Sequence, residues 1–465
     1  MISNLNKAFC LALGLFLAGC SFRPNLPNVE MDGQFTYQYD KYTINDRWWE
    51  DFGDAKLNNL VESALKNNTD LLVALNNIER ARVNMRLAKL EYLPNTNLQG
   101  SATRNRTSSE TYQSVENAKY NNFSLSGALS YEIDLWGKVR NTVAAKEATF
   151  KANQYDFQNS RLSVAAQTVE TYFTLISLNE QEQILKNSLK TYMETLDYRK
   201  NELENGAITE LVYYQAKVSV DSAYNQLVTL RDSIVQAQVA LSILVGKTPN
   251  EILNGDISAP RTLPNAPEVP EGVSADILSH RADVAKALET LKASNALIGV
   301  ARAKYFPSIS LTGAFGYASK EFDRFFTANA ATWSMGGSLA MPLLDFGRTY
   351  SNVELAELDQ NASVLNYDKV LKTAFGEIRK ALDLRQNSVS KEKAARNLAN
   401  SQQRVFDLSK TRYNEGYTTH LEYLDAQRLL LSSRLELAKA RLNVLNSVVS
   451  VYKALGGGFT VQTSN

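Results

Sequence analysis

Cysteine and histidine are almost missing from this chain. Cys10 and Cys20 sit together near the start and His280 and His420 lie far apart, so no zinc, haem or iron–sulfur ligand set can be assembled by motif spacing. A metalloenzyme is disfavoured and no metal site is expected. Charge of one sign is lacking too. Fifty Lys plus Arg against 49 Asp plus Glu leave a net charge of +1, which gives no reason to expect nucleic acid or an anionic surface as partner. No Gly-x-Ser-x-Gly elbow, no His clustered with carboxylates and no phosphate loop occurs, so neither an enzyme nor a cofactor is expected. After residue 20 no apolar run reaches the roughly 18 residues of a spanning helix. If the chain crosses a membrane, strands must do it. What is present is a folding composition: 465 residues, 44% hydrophobic, too apolar for disorder and too long for one ordinary domain.

The N-terminus carries an address. Lys7 is followed by the apolar stretch Ala8 to Ala18, long enough for an export signal and too short to span a bilayer. Residues 1–19 therefore read as a signal peptide. Leu17-Ala18-Gly19-Cys20 looks like a bacterial lipobox, which makes Cys20 the lipidated first residue of the mature chain; the alternative is an ordinary secretory signal with a chance cysteine. Several acyl chains on one residue suffice for stable anchoring. Ser21 after the cysteine is compatible with delivery to the outer membrane. With Cys10 removed and Cys20 acylated, no disulfide remains, and stability must come from packing and assembly.

Beyond the anchored segment 20–56 the chain is one unit written twice. Ala88 to Pro94 matches Ala301 to Pro307, and Leu65 to Asp70 matches Leu278 to Asp283. Ile133 to Lys138 matches Leu344 to Arg348; Gly206, Leu211, Tyr213 and Ala216 match Gly416, Leu421, Tyr423 and Ala426; Gly246 matches Gly456. Five blocks in one order mark an internal duplication, with repeats at 57–248 and 271–459 and a tail at 460–465. Two copies do not make a solenoid. Between them, 249–270 holds five of the ten prolines and reads as an extended linker.

Each repeat predicts a helix, two strands and two very long helices. Residues 138–205 contain no Gly or Pro and carry apolar residues at helical period, among them Val169, Tyr172, Phe173 and Ile176. At 1.5 Å per residue such a helix extends on the order of 100 Å. Gly206 ends it, and 207–245 form the returning arm of a hairpin. The second repeat has its turn at Gly416 and one interruption of the pattern, at Gly376. Strand rhythm is different. Phe123, Leu125, Leu129, Tyr131 and Ile133 alternate with Ser124, Ser126, Ala128, Ser130 and Glu132, and 308–317 and 333–341 repeat the alternation. The strand after Pro94 alternates less clearly. A water-soluble sandwich would need a cover for the apolar face, yet the neighbouring helices run far away, so lipid is the favoured cover. Four strands cannot close a barrel; an open pore needs at least three chains with about 12 strands.

At this point the chain resembles the TolC-like outer membrane factors, in the lipoprotein branch that serves tripartite efflux systems. The resemblance rests on Trp48-Trp49-Glu-Asp-Phe52, both Tyr-x-Pro strand starts, Asp134-Leu-Trp-Gly137, Asp345-Phe-Gly347, Leu421 to Arg428 and Ala454-Leu-Gly-Gly-Gly458. It implies a mainly α, internally duplicated fold, with four transmembrane β-barrel strands and long periplasmic helical hairpins per chain. It implies a homotrimer in outer membrane lipid, docked on a periplasmic adaptor and an inner membrane RND-type transporter, acting as a passive exit duct for drugs or other small toxic compounds. Leu421, Asp425 and Arg428 look like the family's periplasmic gate. Independently of that, charge is placed in one half only: Asp425 corresponds to Gln215 and Arg428 to Val218. A plain surface ion pair is the competing account.

The other singled-out residues carry bland readings beside functional ones. Gly206-Ala207 and Gly416-Tyr417, at the hairpin turns, are candidate adaptor-docking tips. Asp134 and Asp345 are expected to cap the long helices. Trp48 and Trp49 suit either a membrane-surface anchor or packing, and His420 reads as a solvated turn residue more than a pH sensor. Rival functions are a periplasmic coiled-coil tether, which has no use for membrane-type strands, and a duct for protein secretion, disfavoured only by resemblance.

Overall fold

The computed structural model describes residues 21–27, 45–106, 119–255, 257, 259, 260, 262–268 and 281–458. The signal peptide, Cys20, His280 and the tail 460–465 lie outside the described residues, as does part of the linker. The elements are α1 (Ala55–Asn67), α2 (Thr69–Leu90), β1 (Asn95–Arg106), β2 (Lys119–Ile133), α3 (Lys138–Glu204) and α4 (Glu210–Leu244). They continue with α5 (Pro249–Asn254), α6 (Ala282–Ala303), β3 (Ser308–Ser319), β4 (Ala331–Ala340), α7 (Arg348–Asn414) and α8 (His420–Ala454). The two long helices α3 and α7 have 67 residues each, and their returning partners α4 and α8 have 35 each. Helix α7 runs unbroken through Gly376.

The start of each long helix is dictated by an aspartate. Asp134 accepts from the backbone N–H of Val139 at 3.0 Å and of Arg140 at 2.9 Å. Asp345 accepts from Thr349 N–H at 2.8 Å and Gly347 N–H at 3.1 Å. Each carboxylate satisfies donors that have no partner inside the helix and sits at the positive end of its dipole.

Contacts divide the chain into two compact units. They are not the two repeats, because α3 and α7 contribute residues to both.

The first unit, 1–30, 77–154 and 286–368, holds the sheet. Its strands are hydrogen-bonded in the order β1-β2-β3-β4, all antiparallel. The pairings Leu125↔Tyr317, Leu129↔Gly313 and Gly313↔Met335 put the apolar residues of successive strands on one face. Phe315, Trp333, Met335 and Leu339 stand exposed on it. The opposite face carries Ser and Thr side chains such as Ser124, Ser130, Ser310, Thr312 and Ser334. Among the described residues β1 and β4 each pair along one side only, which leaves two free edges. The described N-terminal residues are pinned to this unit. Phe22 stacks on Phe306 at 4.5 Å, Phe306 on Trp136 at 4.7 Å, and Asn295 Nδ2 donates to the Pro24 carbonyl at 2.9 Å.

The second unit, 31–76, 155–285 and 369–465, holds the main core, built from Trp48, Phe52, Leu57, Tyr172, Phe173, Ile176, Leu241, Val448 and Tyr452. Trp48 and Trp49 are buried in it, Trp48 stacking on Tyr452 at 5.1 Å. Packing is therefore their role, not membrane anchoring. Polar tips are satisfied at the rim: the Tyr452 hydroxyl donates to Asp51 at 2.6 Å and the Tyr172 hydroxyl to Asp54 at 2.9 Å. One expectation needs correcting. Helix α4 contains a stretch long and apolar enough, by composition, to span a bilayer. Burial explains only part of that composition: Ala216, Ala223, Leu227, Ala237 and Leu241 are buried, while Val218, Val228, Val235, Val239 and Ile243 of the same helix are exposed.

Candidate functional site

Both hairpin turns are built alike, from one glycine each. Gly206 has φ 71° and Gly416 φ 79°, left-handed conformations that a side chain resists. Ala207 N–H reaches back to the Glu202 carbonyl and Tyr417 N–H to the Arg412 carbonyl, both at 2.8 Å, the six-to-one bond that closes a Schellman motif. Nothing lies within 4 Å of either glycine's missing Cβ, and Tyr417 is exposed. Thr419 then caps α8, accepting from Glu422 N–H at 3.3 Å.

Beside the second turn, Leu421, Asp425 and Arg428 follow one another at four and three residues and form one exposed stripe of α8. Leu424, Gln427 and Leu431 form the buried stripe. The expected ion pair exists but is weak in geometry: Arg428 Nη1 lies 3.5 Å from Asp425 Oδ1, with both side chains about half exposed. Exposed pairs of this kind contribute little. The better bond of Arg428 goes elsewhere. Its Nη2 donates to Ser219 Oγ at 3.1 Å, and Ser219 is a buried residue of α4, so Arg428 ties the second hairpin to the first. Below it Leu185, Tyr192, Ala223, Leu227 and Leu431 close a small core. Burial pushes the Tyr192 hydroxyl up to about 12, and that hydroxyl has no hydrogen-bond partner.

A second tie was not foreseen from the sequence. Arg199 of α3 is only 4% exposed. Its guanidinium pairs with Glu202 and lies over the rings of Tyr198 at 5.3 Å and Tyr413 at 5.0 Å. Tyr413 in turn stacks on Tyr423 at 5.3 Å and meets His420 at 5.6 Å. His420 is not the solvated turn residue expected: both ring nitrogens are buried without a partner. Burial, and secondarily the Arg199 charge, pull its pKa from 6.5 down to about 4. One signal was available, because Arg199, Tyr413 and His420 correspond to Ser409, Leu203 and Glu210 in the other repeat, the same one-sided placement that singled out Asp425 and Arg428. Among the described residues no group of three His, Cys, Asp or Glu side chains could hold a metal ion. Cys20 lies outside the described residues.

The sequence matches the family described as outer membrane efflux protein over 60–247 and 273–457. It is 30% identical over 460 residues to the probable efflux pump outer membrane protein TtgC of Pseudomonas putida, covering 96% of this chain and 94% of that one. It is 29% identical to the cation efflux system protein CusC of Escherichia coli K12, over 97% of this chain and 98% of the other. Among solved structures, the Campylobacter jejuni CmeC outer membrane channel superposes with a TM-score of 0.91 at 34% identity, covering 96% of both chains.

Proposed function

Because this chain belongs to the outer membrane efflux protein family, we propose that it is the outer membrane exit duct of a tripartite efflux pump. It would be a passive trimeric channel carrying drugs or other small toxic compounds. The observation that carries this reading is the sheet. Four strands with one exposed apolar face, one hydroxyl-rich face and two free edges cannot stand alone in lipid, where each unpaired backbone group costs several kcal/mol. Three copies joined edge to edge supply about 12 strands and a water-filled interior.

The rest of the assignment builds on this. Cys20 is the lipid anchor. Gly206-Ala207 and Gly416-Tyr417 are the surfaces that a periplasmic adaptor meets first, with an RND-type inner membrane transporter supplying the energy. Leu421, Asp425 and Arg428 form the periplasmic gate, three copies of the stripe facing one axis. The repeats 57–248 and 271–459 are descendants of one duplicated unit, the first hairpin serving as fixed wall and the second as moving part. Support for the gate comes from the two ties described above, Arg428 to Ser219 and Arg199 to Tyr413, which both join the second hairpin to the first. The matching family is one of outer membrane efflux proteins, and no step of the transport proposed here calls for an enzyme. Among the described residues no cluster of His, Cys, Asp or Glu supports a dedicated metal route. A coiled-coil tether leaves the membrane-type sheet unexplained, and a protein-secretion duct has no observation in its favour beyond the shared fold.

The experiment is crosslinking of the full protein in outer membranes together with palmitate labelling. A detergent-extracted, labelled trimer is expected. A monomer released by salt would overturn the assembly, and label persisting in Cys20→Ala would overturn the anchor.

A further inference from the structure

The duplication leaves one seam of the sheet closed and its counterpart open. Inside the chain the two repeats meet where β2 lies beside β3, with pairings from Ile133↔Ile309 to Phe123↔Ser319. Just past Ile133, Trp136 stacks on Phe306 at 4.7 Å and its Nε1 donates to the Pro307 carbonyl at 2.8 Å. Residues 131–136 and 306–309 are all half-buried. The corresponding segments of the other two strands lack this cover among the described residues. Trp136-Gly137-Lys138 matches Phe346-Gly347-Arg348, and Tyr305-Phe306-Pro307 matches Tyr92-Leu93-Pro94. Residues 91–100 and 341–344 are exposed throughout, as are all of β1 and β4.

Phe346 stands out at the open seam. Its side chain is 97% exposed, and among the described residues it is the only non-glycine with positive φ, at 52°, a conformation that L side chains resist. A strained backbone presenting a bare phenylalanine is unexplained within a single chain. The duplication also supplies a register. At the helix starts β2 maps onto β4 by a shift of 210 positions, and at the strand starts β1 maps onto β3 by a shift of 213. Paired residues of β2 and β3 have numbers that sum to 442. Adding 210 and subtracting 213 carries that rule to a sum of 439, which sets Ser338 opposite Ser101 and Leu339 opposite Gly100. The faces agree. Gly100 lies opposite Leu125 and Leu339 opposite Ile309, so both belong to the apolar face, and a slip of one residue would break that match.

We propose that β4 of one chain pairs with β1 of a second copy in this register, and that Phe346 seats on Leu93 and Pro94 of that copy as Trp136 seats on Phe306 and Pro307. The occupant is a second copy because each open edge calls for the repeat that the chain itself presents at its other edge. Such a contact is head to tail, and it closes into a ring when every edge is used. The seam inside one chain is thereby repeated between chains. This inference rests on the proposed trimer and adds to it the register and the aromatic seat.

The test uses the full-length protein in outer membranes, with cysteines introduced in pairs and products read on non-reducing gels. Ser338→Cys with Ser101→Cys should give covalent dimers and trimers, because directly opposed residues lie within disulfide reach. Ser338→Cys with Gln99→Cys, or with Thr103→Cys, should give about tenfold less, because diagonal neighbours lie roughly 7–8 Å apart. An off-register pair that crosslinks best overturns the register. Equal crosslinking by Ser338→Cys alone overturns the head-to-tail pairing. No disulfide from any pair overturns the second copy as occupant, in favour of a segment such as 28–44 or 107–118. Phe346→Ala should weaken the trimer in detergent by about tenfold, the least that burying a phenylalanine contributes, while Phe346→Trp, copying Trp136, should preserve it. Parental trimer stability in Phe346→Ala overturns the seat. Amine crosslinking of the parent separates this inference from the assembly beneath it. Trimers without the 338–101 disulfide sink the register alone, and monomers alone sink the assembly with it.

Discussion

The guanidinium of Arg199 lies 5.0 Å from the ring centre of Tyr413, so a cation of the first long helix is held by an aromatic ring of the second. Among the described residues, its carboxylate partner Glu202 and the two rings stand in for water around Arg199. A desolvated cation–π contact contributes on the order of 2 kcal/mol. Arg199→Ala is therefore expected to raise the population with hairpins parted about thirtyfold. Hydrogen exchange over 195–203 and 410–424 would register this as faster opening in the assembled protein. Arg199→Lys should behave similarly, because an ammonium lacks the planar face that stacks on tyrosine. Exchange unchanged in both variants would remove the residue from any latch.

The stripe on α8 makes a separate prediction. In the proposed trimer, Asp425→Ala with Arg428→Ala would remove a carboxylate ring that favours cations, together with the bond to Ser219 that restrains the helix. Larger single-channel conductance and weaker cation preference are expected in planar bilayers. Arg428→Ala alone should give most of the conductance change, since its contact with Asp425 is long and exposed, and Asp425→Ala alone most of the selectivity change. Parental values for both properties in the double variant would assign Asp425 to the surface.

At the turns, Gly206→Glu or Gly416→Glu places a charged side chain at a left-handed position with open space around it. The strain is expected to cost on the order of 1 kcal/mol per turn, too little to unfold helices this long. Trimer levels should stay normal while efflux, measured as drug susceptibility, fails. Normal resistance with normal trimer in both variants would leave the adaptor to dock elsewhere.

The buried imidazole gives a pH dependence of definite sign. His420 has a folded-state pKa of about 4 against 6.5 when free, so the unfolded or parted state binds the proton more readily. Stability at this end is complete above about pH 6.5 and declines as pH falls toward 4. Protonation would set a second cation beside Arg199, with Tyr413 and Tyr423 the other neighbours of the ring. Conductance should therefore rise on acidification through that window in the parent, and His420→Phe should flatten the profile. An unchanged profile would place the pH response in another group.

Much of this organisation was legible in the sequence, and for physical reasons. Periodicity reports which face is buried, so the alternation from Phe123 to Ile133 and the Gly-free run 138–205 gave strand and helix directly. Asp134 and Asp345 were legible as caps because capping is local. Arg199 was not. Its burial is created by Tyr413, more than 200 residues away, and the sequence marks it only by one-sided placement, Ser409 standing at the matching position of the other repeat. His420 was misjudged for the same reason: nearness to a turn suggested solvent, while the rings of Tyr413 and Tyr423 exclude it. The apolar character of α4 is hidden in the sequence because its Val, Leu and Ile residues are interspersed with polar ones.

The free edges of β1 and β4 carry a genetic consequence. In a ring of three sheets every edge is completed by a neighbour, so no chain can be membrane-competent before its partners arrive. Assembly then depends steeply on local concentration, and a chain with one damaged edge spoils each ring it joins. If sound and damaged chains are made equally and mix at random, only about one ring in eight contains three sound copies. A proline placed in the ladder of β4, such as Ser334→Pro, should therefore act dominantly, suppressing function even with a sound copy of the gene beside it.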